Sequence, residues 1–227
     1  MFKQITTVPV IAALLILGGA AKHPDPDHPS DHPAKAEKVK VAELGEPAPQ
    51  FELEDQFGVT HKLSDYEGKI VVLEWFNDKC PICHGVWSNG LVPKLISDLR
   101  EIETEVVYLT INSSADRSEK DVKKTAVEFI EETLEETELE VPMLMDYDGK
   151  VGHAYLARTT PHMYVIDTEG VLVYQGAISD DRRMKEGADA ETHVMRAIQQ
   201  VLADEDVSPE YVKPWGCSVK YAKDDRK

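Results

Sequence analysis

The chain has 227 residues, 42% hydrophobic and 30% charged, enough for one globular domain with a proper core and polar tails. A formal net charge of -17 repels phosphates, which argues against nucleic acid or an anionic membrane surface as partner. Three cysteines, Cys80, Cys83 and Cys217, are too few to staple a scaffold, so apolar burial has to hold the fold.

The chain opens with MFKQITTVPVIAALLILGGAAK: basic Lys3, an apolar run from Val8 to Leu17, then the small residues Gly18 to Ala21. This is the pattern of a signal peptide, residues 1–21, cleaved after Ala20 or Ala21. The apolar run is shorter than the roughly 20 residues that span a bilayer, so the expectation is export to a periplasmic or other extracytoplasmic space. No integral membrane domain is expected after cleavage; an uncleaved anchor is the alternative. Residues 22–43 are rich in Pro, His, Asp and Lys, lack apolar periodicity and read as an extended linker. His23, His28 and His32 each precede a proline; the choice there lies between a solvated spacer and weak binding of a soft or borderline cation.

Regular structure is expected from Gln50 onward. FELEDQFG and VTHKLSDYEGK read as a hairpin, and IVVLEWFN, Ile70 to Asn77, as a central parallel strand buried on both faces. Helical spacing follows Cys83 as far as Arg100, with Gly85, Gly90 and Pro93 predicting a bend or break. EVVYLTIN is a second buried strand, SEKDVKKTAVEFIEETLEE an amphipathic helix, VPMLMD a short strand and GKVGHAYLA a short helix. HMYVIDTEGVLVYQGAI predicts a hairpin turning at Glu169-Gly170, and AETHVMRAIQQVLADE a last helix. The order predicts an α/β layered domain over residues 44–204, with a central mixed β-sheet flanked by helices. Residues 205–227 form a C-terminal extension that carries Cys217.

The chemistry sits in C-P-I-C, placed between the buried strand and the helix that follows. Unpaired amides and the helix dipole favour an anion there, which makes Cys80 the candidate nucleophile. Cys83, one turn on, can attack a mixed disulfide formed by Cys80 and close a Cys80–Cys83 disulfide. Pro81 occupies the first helical position, where a missing N–H costs nothing. A zinc knuckle needs two more ligands, yet there is no second C-x-x-C and His153 and His162 are distant. A structural disulfide, or two inert core cysteines, is the plain alternative.

The stretches GEPAPQFELEDQFGVTHKLSDYEGKIVVLEWF, CPIC and TTPHMYVIDTEGVLVYQGAI resemble the thioredoxin-like redoxin family. That family includes alkyl hydroperoxide reductase and thiol-specific antioxidant proteins and periplasmic thiol-disulfide oxidoreductases. The resemblance runs from about Leu44 to Ala203, and the closing PWGCSVKY is similar to the tail of a thioredoxin-like subgroup. It implies a thioredoxin-like fold in which Thr160-Pro161 forms a cis-proline loop beside the cysteines, where backbone pairs with a bound substrate strand. It also implies that Glu74, a lone acid in an apolar strand, is a buried proton carrier for Cys83; an outward or salt-bridged glutamate is the alternative. Trp75 is a candidate substrate contact beside Thr160 and Pro161, with a core position as its alternative.

The implied activity is thiol-disulfide exchange with protein thiols and disulfides and an upstream redox partner, without metal or organic cofactor. Peroxidases of the family carry P-x-x-x-[TS]-x-x-C, whereas Leu73 and Asn77 hold those positions ahead of Cys80, and Phe76 and Cys80 hold them ahead of Cys83. Peroxide reduction is therefore the second reading. A copper-delivery module is the third, and it usually has the wider C-x-x-x-C spacing. Cys217 is left over, as a free reactive thiol, an intermolecular partner or a relay to the C-P-I-C pair, with an inert buried cysteine as the plain alternative.

Overall fold

The structure, a computed structural model, describes residues 40–134 and 141–222. The expected signal peptide, most of the linker and His23, His28 and His32 lie outside the described residues.

The elements follow the order read from the chain. β1 (Glu52–Glu54) and β2 (Thr60–Lys62) pair antiparallel as the expected hairpin. β3 (Ile70–Trp75) leads into α1 (Pro81–Ser88) and α2 (Leu91–Arg100). The helix expected across this stretch is broken at Gly90, whose φ of 88° lies in the left-handed region that glycine enters without a Cβ clash. Then come β4 (Val106–Asn112), α3 (Glu119–Leu134), β5 (Met143–Met145) and α4 (Lys150–Ala154). β6 (Thr159–Thr160), β7 (His162–Ile166), β8 (Leu172–Gly176) and α5 (His193–Leu202) follow, and the chain returns in β9 (Tyr211–Val212) and β10 (Cys217–Ser218).

Six strands form one mixed sheet in the order β5-β4-β3-β7-β8-β9. β3, β4 and β5 run parallel, β7 is antiparallel to both of its neighbours, and β9 is parallel to β8. β3 is central and wholly buried, which accounts for its unbroken apolar run. Its side chains serve two cores by simple alternation. Ile70 and Val72, with Phe76 just past the strand end, pack with residues of α1, α2, α3 and α5, whereas Val71, Leu73 and Trp75 pack with Ala42, Phe51, Tyr155 and Leu172 on the other face.

The helices are unevenly shared between the faces. The crossovers β3 to β4 and β4 to β5 step in one direction across the sheet, and right-handed connections of that kind place their helices on one side. The opposite side is covered by α4 and by the segment that leads into β2.

Packing extends past both ends of the 44–204 stretch. Ala42 is buried and its amide donates to the Ala154 carbonyl at 2.8 Å. After α5, β9 adds a strand to the main sheet, and β10 pairs antiparallel with β6, Cys217 opposite Thr160 and Ser218 opposite Thr159.

Candidate active site

The loop after β3 holds Cys80 through a set of fixed polar contacts. The Cys80 amide donates to the Asn77 carbonyl at 2.9 Å, and the Asn77 side chain takes the Lys79 amide at 2.7 Å and donates to Ser114 Oγ at 2.9 Å. Asp78 has 2% of its surface exposed, and its carboxylate meets Arg117 Nη2 at 2.7 Å and Asn112 Nδ2 at 3.2 Å. The His84 Nε2 contacts the Asp78 carbonyl, so that ring braces the same loop.

Cys80 is the N-cap of α1, with extended backbone and Pro81 following it, and the Cys83 amide is a backbone donor toward its sulfur. Cys83 lies one turn deeper with no exposed surface. The Cys80 thiol is lowered to about 4, first by the hydrogen bond it shares with Cys83 and then by Cys217, against the opposing effect of burial. The Cys83 thiol is raised, by burial first, then by the proton it commits to Cys80 and by the charge of Glu74. One sulfur of the pair is held as thiolate and the other as thiol, the division that nucleophile and resolving cysteine require.

Glu74 points inward and is fully buried, so its outward alternative is not the one the fold adopts. Tyr108 Oη donates to its Oε2 at 2.7 Å and Trp87 Nε1 to its Oε1 at 3.3 Å. Burial raises this carboxyl to about 7 against both hydrogen bonds. A carboxyl so placed can take and return a proton near neutral pH.

The Thr160–Pro161 bond is cis, and the Thr160 carbonyl lies 3.2 Å from the Cys80 sulfur. Cys80, Cys83, Glu74, Thr160 and Pro161 therefore converge at the carboxyl end of β3. Trp75 does not join them. As the strand neighbour of Glu74 it projects to the opposite face, where it has no exposed surface, donates Nε1 to Ser113 Oγ at 3.0 Å and packs on Tyr155 and Tyr164. The expectation of a substrate contact there is corrected to a core role, because a side chain without surface cannot meet a docked protein.

Cys217 is brought to the site. Its sulfur lies 2.7 Å from that of Cys80, and none of the three cysteines is in a disulfide. Sequence reasoning missed the Asp78–Arg117 clamp and the two donors that hold Glu74. Asp78 stands two residues before Cys80, and an acid so close to an apolar strand end is the one signal by which a buried pair could have been found. Tyr108, 34 residues from Glu74, had no sequence signal.

The AhpC/TSA family profile matches residues 44–175. Among characterised relatives, the chain is 23% identical over 177 residues to the thiol:disulfide interchange protein DsbE of Vibrio cholerae, covering 77% of this chain and 85% of that one. It is 30% identical over 136 residues to the thiol-disulfide oxidoreductase ResA of Geobacillus kaustophilus, covering 59% of this chain and 68% of that one. Among solved structures, a hypothetical protein of Sinorhizobium meliloti superposes with a TM-score of 0.66 at 24% identity, over 82% of this chain and 98% of the other, a likeness of fold.

Proposed function

The chain belongs to the AhpC/TSA family, and we propose that within it the C-P-I-C pair exchanges dithiol and disulfide with protein partners outside the cytoplasm. That the protein is a thiol-disulfide oxidoreductase follows from its kinship with DsbE and ResA. The observation that carries the assignment to these cysteines is their placement, Cys80 at the N-cap of α1 and Cys83 fully buried one turn behind it.

The mechanism is exchange in two steps. The Cys80 thiolate attacks a substrate disulfide, forming a mixed disulfide and releasing one substrate thiolate. Cys83 then loses its proton to Glu74 and attacks the Cys80 sulfur, which frees the second substrate thiol and closes Cys80–Cys83. The reverse sequence oxidises a dithiol. The backbone edge at Thr160, beside Pro161, where an extended substrate would add as a strand, is paired with β10. Two electrons reside in the sulfur pair itself, so the exchange needs neither metal nor organic cofactor. Export is supported by the N-terminal pattern of Lys3, the Val8–Leu17 run and Gly18 to Ala21.

The test is reduction of insulin disulfides with dithiothreitol as electron source, alongside hydrogen peroxide consumption by the reduced protein. Insulin turnover abolished by Cys80→Ser, with negligible peroxide consumption, is the expected outcome. Fast peroxide turnover that depends on Cys80 would replace it with the peroxidase reading and show that Leu73 and Asn77 tolerate that chemistry.

A further inference from the structure

The edge offered by Thr160 is occupied by the chain itself. β10 lies antiparallel on β6, with Cys217 opposite Thr160, so the tail takes the path of an added strand and sets a cysteine against the nucleophile. The docking is built in at several points. Trp215 Nε1 donates to the Ser179 carbonyl at 2.9 Å, the Val219 amide to the Arg158 carbonyl at 3.2 Å and the Ala115 amide to the Lys220 carbonyl at 2.8 Å. Tyr221 donates Oη to the Ala157 carbonyl at 2.9 Å and stacks on His153. Gly216, at φ 144°, has its backbone so close to Thr160 that a Cβ there would stand 2.2 Å from the Thr160 carbonyl oxygen.

The sulfurs of Cys80 and Cys217 lie 2.7 Å apart, so a disulfide carried by either is within reach of attack by the other. Access is graded along the three thiols. Cys83 is fully buried, Cys80 is 3% exposed and Cys217 is partly exposed, so an arriving protein meets Cys217 first.

From this geometry we propose that Cys217 is a third catalytic cysteine, the port through which the Cys80–Cys83 pair exchanges electrons with protein substrates. The inference rests on the C-P-I-C reading above. In the reducing direction, Cys217, whose thiol burial and the neighbouring Cys80 hold up, gives its proton to water and its sulfur attacks the substrate disulfide, giving a Cys217 mixed disulfide and one substrate thiolate, which is protonated by water. The Cys80 thiolate then attacks the Cys217 sulfur; a Cys80–Cys217 bond forms, and the second substrate thiolate leaves and is protonated by water. Cys83 passes its proton to Glu74 and attacks Cys80. The Cys80–Cys217 bond breaks, Cys80–Cys83 forms, Cys217 departs as thiolate and is protonated by water, and Glu74 returns its proton to solvent. Two electrons move from the Cys80–Cys83 pair to the substrate, and Cys217 is regenerated.

The test uses the full chain. Cys83→Ser leaves Cys80 a single intramolecular partner; after one equivalent of diamide, acid quenching and alkylation, peptide mapping by mass spectrometry is expected to find Cys80 linked to Cys217. Gly216→Ala in the same background undocks the tail and is expected to abolish that linkage. Cys217→Ser in the otherwise intact chain is expected to lower the insulin reduction rate at least tenfold while diamide still closes Cys80–Cys83. Absence of the Cys80–Cys217 peptide from Cys83→Ser overturns the proposal. So does a Cys217→Ser chain that reduces insulin at the full rate or faster, which would make the tail a cover over Cys80. A Cys217→Ser chain that forms no Cys80–Cys83 disulfide would sink the C-P-I-C reading as well, so the two failures are distinct.

Discussion

Tyr108 donates its hydroxyl to Glu74 across 2.7 Å inside the core, tying β4 to the charge that faces the cysteine pair. The bond and the indole of Trp87 keep a buried carboxyl titrating near neutrality instead of leaving it permanently protonated.

Removing the proton acceptor is expected to slow the second half of exchange and spare the first. In Glu74→Gln, release of glutathione from a Cys80 mixed disulfide by Cys83 is expected to slow by about a hundredfold at pH 7, as loss of a positioned base does. Quenched-flow mass spectrometry measures that step directly. An unchanged release rate would remove Glu74 from the mechanism and leave it a buried structural acid.

Glu74 also gives stability a defined pH dependence. Its folded value, about 7, lies above the ordinary carboxylate range, so between roughly pH 4.5 and 7 the native state binds more protons than the unfolded one. Stability therefore falls as pH rises through that window, by about 3 kcal/mol for this group. Urea unfolding of the oxidised protein, where thiol titration does not intervene, is expected to show the decline in wild type and a flatter curve in Glu74→Gln.

Cys80 works with the opposite sign. Its thiol is depressed to about 4, so in the reduced protein it contributes stability that is present above the unfolded thiol range and lost as pH falls through about 4. Iodoacetamide alkylation of Cys80 is expected to remain appreciable at pH 5. In Cys83→Ala, which deletes the largest stabilising hydrogen bond, the midpoint of the alkylation profile is expected to rise.

The Asp78–Arg117 pair is a structural clamp on the same loop. With Asp78 buried, Arg117→Ala leaves a carboxylate without its cation, and a loss of about 3 kcal/mol is expected in denaturant unfolding. Asp78→Asn with Arg117→Met, which removes both charges, is expected to cost less than the single change.

Trp75 separates a core role from a binding role. Trp75→Phe gives up the hydrogen bond to Ser113 and part of the packing on Tyr155, and about 1–2 kcal/mol of stability is expected to go with them. The KM for insulin is expected to stay at its wild-type value; a several-fold rise would return Trp75 to the substrate surface.

Much of this architecture is legible in the chain because its signals are local. The apolar run of β3, the helical spacing around Gly90 and the turn at Glu169-Gly170 each report on backbone a few residues away. The same holds for Cys80 and Cys83, whose spacing and position after a strand mark a helix N-terminus, whereas the lowering of the Cys80 thiol owes most to its hydrogen bond with Cys83. Trp75 illustrates the limit of such reading, since alternation puts it and Glu74 on opposite faces but does not say which face meets the cysteines.

The order of elements, the close spacing of Cys80 and Cys83 and the apolar positions were set along the chain, because propensity and periodicity act over one or two turns of backbone. Tertiary structure alone decided that Glu74 turns inward to Tyr108 and Trp87, that Arg117 closes on Asp78, and that Cys217 reaches Cys80 across 137 residues. Those relationships depend on sheet order, on crossover handedness and on a tail that returns to β6. Each brings together groups whose separation along the chain leaves no periodic mark, so the contact exists in no segment until the whole sheet is assembled.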